Sequence, residues 1–169
     1  LGEVTVFSSQ TPTAVSRTGV SVEVLGETEL QNAANTTVAN ELARLPGVSV
    51  STNGGLGKQT NLRIRGLSNR YIGVRINGID VTDPASTQTQ YNWGGLTTSG
   101  LSRIEVLKGS QSALYGSEAI GGVINITTNQ APDTIGTEYS FGLEVGSYDT
   151  TRATFSIGTR GERGDLSFS

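Results

Sequence analysis

The stretch "RIEVLKGSQSALYGSEAIGGVINITT", residues 103–128, joins two kinds of segment that favour extended structure. Its first part lies in "SRIEVLKG", which is typical of a β-strand closed by a glycine turn. Its second part packs a tyrosine, three glycines and a β-branched run into a short space. Either part alone suits any small core, so the rest of the chain must show why the two occur together.

The composition favours strands and tight turns over helix bundles, because 23 of the 169 residues are glycine and only 34% are hydrophobic. The length suits one ordinary domain with an appendage. Cysteine and histidine are absent, which excludes a disulfide scaffold, a thiol nucleophile, a serine–histidine dyad and zinc sites of imidazole or thiolate. The catalytic class left open is a carboxylate hydrolase using Glu105 and Glu118, although nothing else organises an acid–base pair.

Charge and hydropathy exclude further classes. No apolar run approaches the roughly 18 to 20 residues of a spanning helix, and no basic-then-apolar leader opens the chain. We therefore expect Leu1 to be a mature or trimmed start. The 12 basic residues are scattered and the isoelectric point is about 4.9. Because nucleic-acid binding needs a basic stripe or patch, no nucleic-acid partner is expected.

The amino-terminal residues predict an arm followed by a strand. Residues 1–19 hold a short β-prone patch and then serine, threonine and proline with little to bury. This predicts a flexible arm, with an edge strand at residues 3–7 as the alternative. "VSVEVLG", residues 20–26, has valines at alternate positions and predicts a half-buried strand.

The next segment predicts two short helices between strands, a β-α-β element. Leucines and valines fall near helical spacing up to Pro46, and Thr36 or Thr37 is placed to cap the second helix. "NGGLGKQT", residues 53–60, lacks the spacing of a phosphate loop because Gln59 follows Lys58. Its Asn-Gly-Gly is better explained as a hairpin tip.

Three more strand candidates, "NLRIRG", "YIGVRINGIDV" and "SRIEVLKG", suggest a small mixed sheet. Between the second and third lies a long polar loop, residues 82–100, which contains Tyr91 and the only tryptophan, Trp93. Long loops with aromatic residues often bind ligands. The alternative is that Trp93 pins the loop to the domain.

The pattern changes after residue 132. Tyr139, Phe141, Leu143 and Val145 alternate with polar or small residues, and a second segment repeats the alternation after a turn. Strands of about nine or ten residues with one apolar face match outer-membrane barrel strands, whereas a two-faced sheet of a soluble sandwich is the commoner alternative. A third strand begins at "GDLSFS" and stops, so we expect the chain to be a fragment.

Four segments, taken in chain order, resemble the TonB-dependent outer-membrane receptors over nearly the whole chain. They are "LARLPGVSV", "LRIRG", residues 103–128 and the alternating hairpin that follows. The resemblance implies an α+β plug domain, with a small mixed sheet and short helices, inserted in a transmembrane antiparallel β-barrel whose first strands alone are present. The implied domains are an arm with a TonB-box-like segment at residues 1–19, a plug at 20–132 and barrel strands at 133–169.

The resemblance also explains why the two segments within residues 103–128 occur together. "IEVLKG" and "GGVINITT" would be strands of the plug sheet, with "SALYGSEAI" as the tight link between them. Gly121 and Gly122 would let backbones approach closely, and Tyr115 would supply bulk beside the turn.

An ion cluster that seats the plug is also implied, with Arg65 and Lys108 facing glutamates on the inner barrel wall. The chain has Lys108 where the family often has arginine, and Ser110 where it usually has proline. Lysine cannot form a bidentate contact with a carboxylate, so this contact would be weaker or more easily released. The alternative is two surface charges worth about 0 to 1 kcal/mol each.

The segment "EVTVF" resembles the TonB box, which pairs by strand addition with the periplasmic partner TonB. Its residues are Glu3, Val4, Thr5, Val6 and Phe7. An extended, β-prone peptide on a flexible arm offers backbone hydrogen bonds to a partner's sheet edge. Pulling on the arm would transmit force to a plug that has no nucleotide site of its own.

The implied function is active transport of a large scarce nutrient, and two stretches most resemble the vitamin B12 (cobalamin) receptors. Neutral amides, hydroxyls and glycine backbone suit an amide-decorated corrinoid, while arginine and aromatic side chains leave a ferric siderophore or haem as the alternative. The residues assigned to substrate loops are Asn53, Gly54, Gly55, Leu56, Asn69, Arg70, Tyr71, Tyr91, Asn92 and Trp93.

Calcium is the one cofactor considered, because Asp80 and Asp83 offer oxygen ligands, although two acids near a loop are more often solvated turn formers. The resemblance further implies contact with outer-membrane lipid, location in the outer membrane of a Gram-negative bacterium, and no enzymatic activity. A soluble β-rich binding module is the alternative from another class.

Overall fold

The computed structural model describes residues 5–6, 13–14, 20–33, 37–83, 85, 90–132, 134–145 and 151–168. The strands, in chain order, are β1 (Thr5–Val6), β2 (Thr13–Ala14), β3 (Ser21–Leu25), β4 (Val48–Thr52), β5 (Thr60–Ile64), β6 (Ile72–Ile76), β7 (Ile79–Asp80), β8 (Leu101–Lys108), β9 (Gly122–Thr128), β10 (Gly136–Val145), β11 (Thr151–Gly161) and β12 (Gly164–Phe168). The helices are α1 (Glu27–Gln31), α2 (Val38–Leu42) and α3 (Ser112–Tyr115), with 3-10 turns at Asn69–Tyr71 and Trp93–Gly95. No helix in these ranges is long and apolar enough to cross a bilayer.

A mixed five-stranded sheet in the order β3-β8-β9-β6-β7 forms the centre of the protein. β6 and β9 are parallel, and the other neighbours are antiparallel. The main core contains four residues of the two central strands, Ile104, Val106, Ile124 and Ile126. It also holds apolar side chains of α1, α2 and the β4–β5 hairpin. Leu107 and Val123, with Ala119, form a second small cluster. The predicted mixed sheet with short helices is therefore confirmed.

The two predicted helices are present, and Thr37 is the cap of the second, because its Oγ1 accepts a hydrogen bond from the Asn40 amide at 3.4 Å. The chain order is strand, helices, strand, as predicted, but the two strands lie in different sheets. β4 pairs with β5 as an antiparallel hairpin, and the loop at residues 53–59 joins them. The prediction that "NLRIRG" contributes to the mixed sheet is therefore wrong, since its partner is the strand immediately before it.

The link between β8 and β9 contains α3 and returns tightly onto the sheet. Tyr115 packs beside the Leu107 and Val123 cluster, and the Arg75 guanidinium lies 5.1 Å from its ring centroid. At Gly122 a Cβ atom would lie 2.5 Å from the Leu107 carbonyl oxygen. The close backbone approach expected at this glycine is therefore present, and a side chain has no room there.

The carboxyl-terminal residues form an open antiparallel sheet, β10-β11-β12. Its register sets Tyr139 opposite Ile157 and Phe141 opposite Phe155. These apolar side chains are exposed, with Tyr139 at 80% and Phe141 at 72%. The alternation predicted from the sequence is confirmed, and within the described ranges nothing covers this apolar face.

The other face of this sheet is turned towards the mixed-sheet unit. A Cβ atom at Gly158 would lie 3.1 Å from the Ala131 Cα, so β11 passes close to the backbone that follows β9. An open cleft of about 730 Å³ lies between β10–β11, the end of α1 and residues 98–101.

Replacing Gly122 by alanine tests the close approach of β8 and β9. We expect Gly122→Ala to lower the free energy of unfolding by about 3 kcal/mol, because the new methyl group meets a backbone carbonyl that cannot move without breaking the sheet. The matched control is Gly55→Ala, where a Cβ atom meets nothing within 4 Å. Urea denaturation of the purified protein measures both, and equal stability of the two variants would contradict the prediction.

Candidate functional site

Two loops meet above the β4–β5 hairpin and form a continuous surface. The Gly57 amide donates to the Gly94 carbonyl at 2.7 Å, and the Thr60 amide donates to Asn92 Oδ1 at 3.1 Å. A Cβ atom at Gly94 would overlap the Lys58 carbonyl oxygen. Because the contacts are mainly between backbones, the hairpin loop and the loop around Trp93 hold a fixed relative position.

A buried polar knot of Asn69, Tyr91 and Trp93 fastens this surface to the core. Trp93 Nε1 donates to Asn69 Oδ1 at 2.9 Å, while Asn69 Nδ2 donates to the Tyr91 carbonyl at 2.6 Å. The Tyr91 and Trp93 rings meet edge to face, with centroids 4.9 Å apart. Burial raises the pKa of the Tyr91 phenol above its ordinary value.

The burial of Trp93 and Asn69 corrects part of the predicted substrate surface. Trp93 is 0% exposed and Asn69 is 3% exposed, so neither side chain offers surface to a ligand in this arrangement. Both position the loop that carries Tyr91 and Asn92. The position of Trp93 is therefore that of the alternative interpretation, in which this side chain pins the loop to the domain.

The remaining predicted loop residues lie at or near the surface. The hairpin loop residues Asn53, Gly54, Gly55 and Leu56 are exposed, Leu56 by 65%. A cleft of about 200 Å³ lies between this loop, α2 and the backbone at Gly94. Its lining is mostly hydroxyl, amide and glycine backbone, which suits a neutral ligand rather than a charged one.

Arg70 and Tyr71 form a second exposed part of the predicted surface. The Arg70 guanidinium lies 4.7 Å from the centroid of the Tyr71 ring. Arg70 is exposed, whereas Tyr71 and Tyr91 are half-buried. This stacked pair adds an aromatic and a cationic group to a surface whose hairpin loop carries one charged side chain, Lys58.

Lys108 has its partners within the mixed-sheet unit. Its side chain is 3% exposed, and its ammonium donates to Glu23 Oε1 at 3.2 Å and to the Pro46 carbonyl at 2.7 Å. Glu23 lies on the adjacent edge strand β3 and is 38% exposed on its side chain. The sequence gives no local signal for this pairing, because the two residues are 85 positions apart.

Arg65 meets the same corner of the chain as Lys108. Its backbone amide donates to the Gly47 carbonyl at 2.7 Å, next to the Pro46 carbonyl that Lys108 binds. Arg65 adopts a positive φ of 49° and its side chain is exposed. The structure thus brings Arg65 and Lys108, the two cations expected to contact the barrel wall, to one corner of the chain. Lys108 is buried there and Arg65 is exposed.

The two aspartates considered for calcium take part in turns. Asp80 Oδ1 accepts hydrogen bonds from the Thr82 amide and hydroxyl, and Asp83 Oδ1 accepts one from the Ala85 amide. Among the described residues no group of three or more acidic side chains is placed to hold a metal ion. These contacts are those of solvated turn formers.

The TonB-box-like segment is described at two of its five positions. Thr5–Val6 pairs antiparallel with Thr13–Ala14, so the arm contains a short ladder where a flexible arm was expected. Glu3, Val4 and Phe7 lie outside the described residues.

Truncating the hub of the buried knot should destabilise the protein. We expect Asn69→Ala to cost about 2 to 4 kcal/mol, because it leaves the Trp93 indole N–H and the Tyr91 carbonyl without their partner. The exposed Asn40→Ala is the matched control and should stay within about 0.5 kcal/mol of the parent. Thermal unfolding measures both variants. An unchanged stability of Asn69→Ala would contradict the prediction that these hydrogen bonds stabilise the fold.

The Lys108 contact predicts an asymmetric response to mutation. Glu23→Gln should cost about 1 to 2 kcal/mol because the buried ammonium loses its carboxylate, a loss that solvent partly screens. Lys108→Met should cost less, since it removes the buried charge itself. The double variant should resemble Lys108→Met alone in urea denaturation; additive losses would show that the two side chains act independently.

Comparison with known proteins places these features in a family. The family model described as TonB-dependent Receptor Plug Domain matches residues 14–123. The vitamin B12 transporter BtuB of Vibrio cholerae serotype O1 is 35% identical over 164 residues, which cover 96% of this chain and 26% of the relative. This chain thus spans about a quarter of the length of that relative.

Solved structures share the fold. The ferric yersiniabactin uptake receptor FyuA from Yersinia pestis matches at 27% identity with a TM-score of 0.67, covering 88% of this chain and 23% of that one. The outer-membrane ferripyoverdine receptor of Pseudomonas aeruginosa matches at 21% identity and a TM-score of 0.75, covering 95% of this chain and 21% of that one. With its mixed sheet, glycine-tight β8–β9 link and matching family model, the chain belongs to the TonB-dependent receptor plug domain family.

Proposed function

We propose that the chain is part of an outer-membrane receptor that imports a large scarce nutrient, cobalamin first, with energy supplied through TonB. The plug gates a barrel whose first strands are β10 to β12. Substrate binds on the outward loops, and the exposed Arg65 faces the barrel wall, whereas Lys108, expected there as well, is buried against Glu23 and the Pro46 carbonyl.

The single observation that carries the transport proposal is the attachment of an amphipathic antiparallel sheet to a plug unit. One face of that sheet exposes Tyr139, Phe141, Phe155 and Leu166, while the opposite face passes the plug backbone at Gly158. Lipid-facing and lumen-facing residues alternate in the same way in outer-membrane barrels. A soluble binding module would need another layer over the apolar face.

Cobalamin is the preferred substrate for two reasons. The relative named as a vitamin B12 transporter shares 35% identity over 96% of this chain, whereas the named siderophore receptors share 27% and 21%. The cleft beside the hairpin loop is lined by neutral groups, which suit an amide-decorated corrinoid. The Arg70 and Tyr71 stack favours the alternative, a ferric siderophore or haem.

Transport rather than catalysis fits the acidic residues as well. Glu105 is buried 2.8 Å from the Arg103 Nε, and Glu118 Oε2 lies 3.4 Å from the Thr82 hydroxyl, whose hydrogen goes to the nearer Asp80 Oδ1 at 2.6 Å. Glu105 thus has an arginine as its structural partner, and among the described residues nothing aligns the two carboxylates on a substrate.

Calorimetry on the full-length receptor in detergent tests the substrate. Cyanocobalamin is titrated beside a panel of ferric siderophores and haem, each with and without calcium. We expect cobalamin to bind, and loss of that binding on chelation would implicate calcium. A siderophore or haem as the only ligand would discard cobalamin and keep the receptor, whereas no binding by any of them would count against the receptor.

Energy coupling predicts a variant that binds substrate without importing it. We expect Val6→Pro to abolish uptake, because proline removes the amide N–H that strand addition needs, while calorimetric affinity stays unchanged. Val6→Thr retains the N–H and the β-branched shape, so it should import normally. Normal uptake by Val6→Pro in whole cells would place the coupling segment elsewhere.

A further inference from the structure

Asparagine followed by glycine occurs twice in the chain, at Asn53–Gly54 and at Asn77–Gly78. This dipeptide is chemically labile, because a glycine without a Cβ atom lets its backbone nitrogen reach the preceding side-chain amide. The two copies share the same local sequence chemistry. Any difference in their reactivity therefore comes from the structure around each one.

Asn77 is held firmly in the turn between β6 and β7. Its Nδ2 donates to Thr128 Oγ1 at 2.9 Å, its Oδ1 accepts from the Thr128 amide at 3.0 Å, and its own amide donates to the Ile126 carbonyl at 2.8 Å. Both ends of the side-chain amide are thus bonded to β9. Its φ of 50° also fixes the backbone of a two-residue turn.

Asn53 begins the exposed loop between β4 and β5 and lacks such a hold. Its backbone amide donates to the Gln59 carbonyl at 3.1 Å, but within the described ranges no hydrogen bond restrains its side chain. The Gly54 amide is bonded only weakly, to Thr52 Oγ1 at 3.4 Å, which is beyond the usual range for such a bond. The reacting groups are therefore open to water, and hydrogen bonds restrain the Asn53 side chain less than that of Asn77.

We propose that Asn53–Gly54 is a site of spontaneous deamidation and that Asn77–Gly78 is protected. The Gly54 nitrogen loses its proton to solvent base and attacks Cγ of Asn53, forming a carbon–nitrogen bond. The bond from Cγ to Nδ2 then breaks, and ammonia leaves with a proton from water. Water adds to either carbonyl of the resulting succinimide and opens the ring, which leaves aspartate or isoaspartate at position 53.

The product changes the surface beside the 200 Å³ cleft. The hairpin loop carries one charged side chain, Lys58, and gains a carboxylate at its first residue. Isoaspartate also lengthens the backbone just before Gly54, which lines the cleft. The reaction itself needs neither a ligand nor transport, so it goes beyond the proposed function.

Peptide mapping of the full-length receptor tests the proposal. The folded protein is incubated at mildly alkaline pH, and tryptic peptides 45–58 and 76–103 are followed by mass spectrometry for the exchange of amide NH2 for OH. A zero-time digest corrects for reaction during proteolysis. Breaking one net hydrogen bond slows a reaction by roughly fivefold, so with its extra bonds Asn77 should react at least about tenfold more slowly than Asn53.

Three controls distinguish the effect of the folded structure on the deamidation rate from the effect of the local sequence. In urea the two rates should converge, and Asn53→Gln should silence peptide 45–58. Thr128→Val removes the Oγ1 acceptor from Asn77 and should speed its reaction while leaving Asn53 unchanged; if that variant misfolds, the urea comparison still decides. Equal rates in the folded receptor, or an inert Asn53 that reacts only in urea, would overturn the proposal.

Discussion

The contact on which the fold depends is the close approach of two backbones where Gly122 meets the Leu107 carbonyl. β8 lies between β3 and β9, and β9 in turn lies between β8 and β6. A side chain at the start of β9 would separate the two central strands and displace everything attached to them. The glycines before β9 are therefore a packing requirement more than a flexible joint.

The second organising feature is polar. Asn69 uses both ends of its amide inside the core, so the loop carrying Trp93 is fixed by hydrogen bonds as well as by burial. Such a fully satisfied buried network specifies one arrangement, because any other would leave its donors and acceptors unpaired. The surface formed by the neighbouring hairpin loop thus rests on a rigid base.

Local signals in the sequence predicted local structure well. Alternation of apolar residues located β10 and β11, and Thr37 caps the second helix as its chemistry dictates. The end of that helix was predicted less well, because it stops at Leu42 and does not continue to Pro46. Partners distant in sequence were not predictable, since no pattern in "VSVEVLG" marks Glu23 as the partner of Lys108. Trp93 was ambiguous for the same reason: the amide that binds its indole lies 24 residues away, and only the fold shows that this aromatic side chain is buried.

The strand order has a consequence for how the domain comes apart. β3 is the first strand of the mixed sheet along the chain, yet among the described strands it lies at the outer edge and pairs only with β8. Its departure breaks one ladder, the Glu23 contact and the packing of Val22 and Leu25 against the two apolar clusters. The hydrogen bonds among β8, β9, β6 and β7 remain. Among the described strands, β3 can therefore leave the mixed sheet without breaking the pairing of the other four.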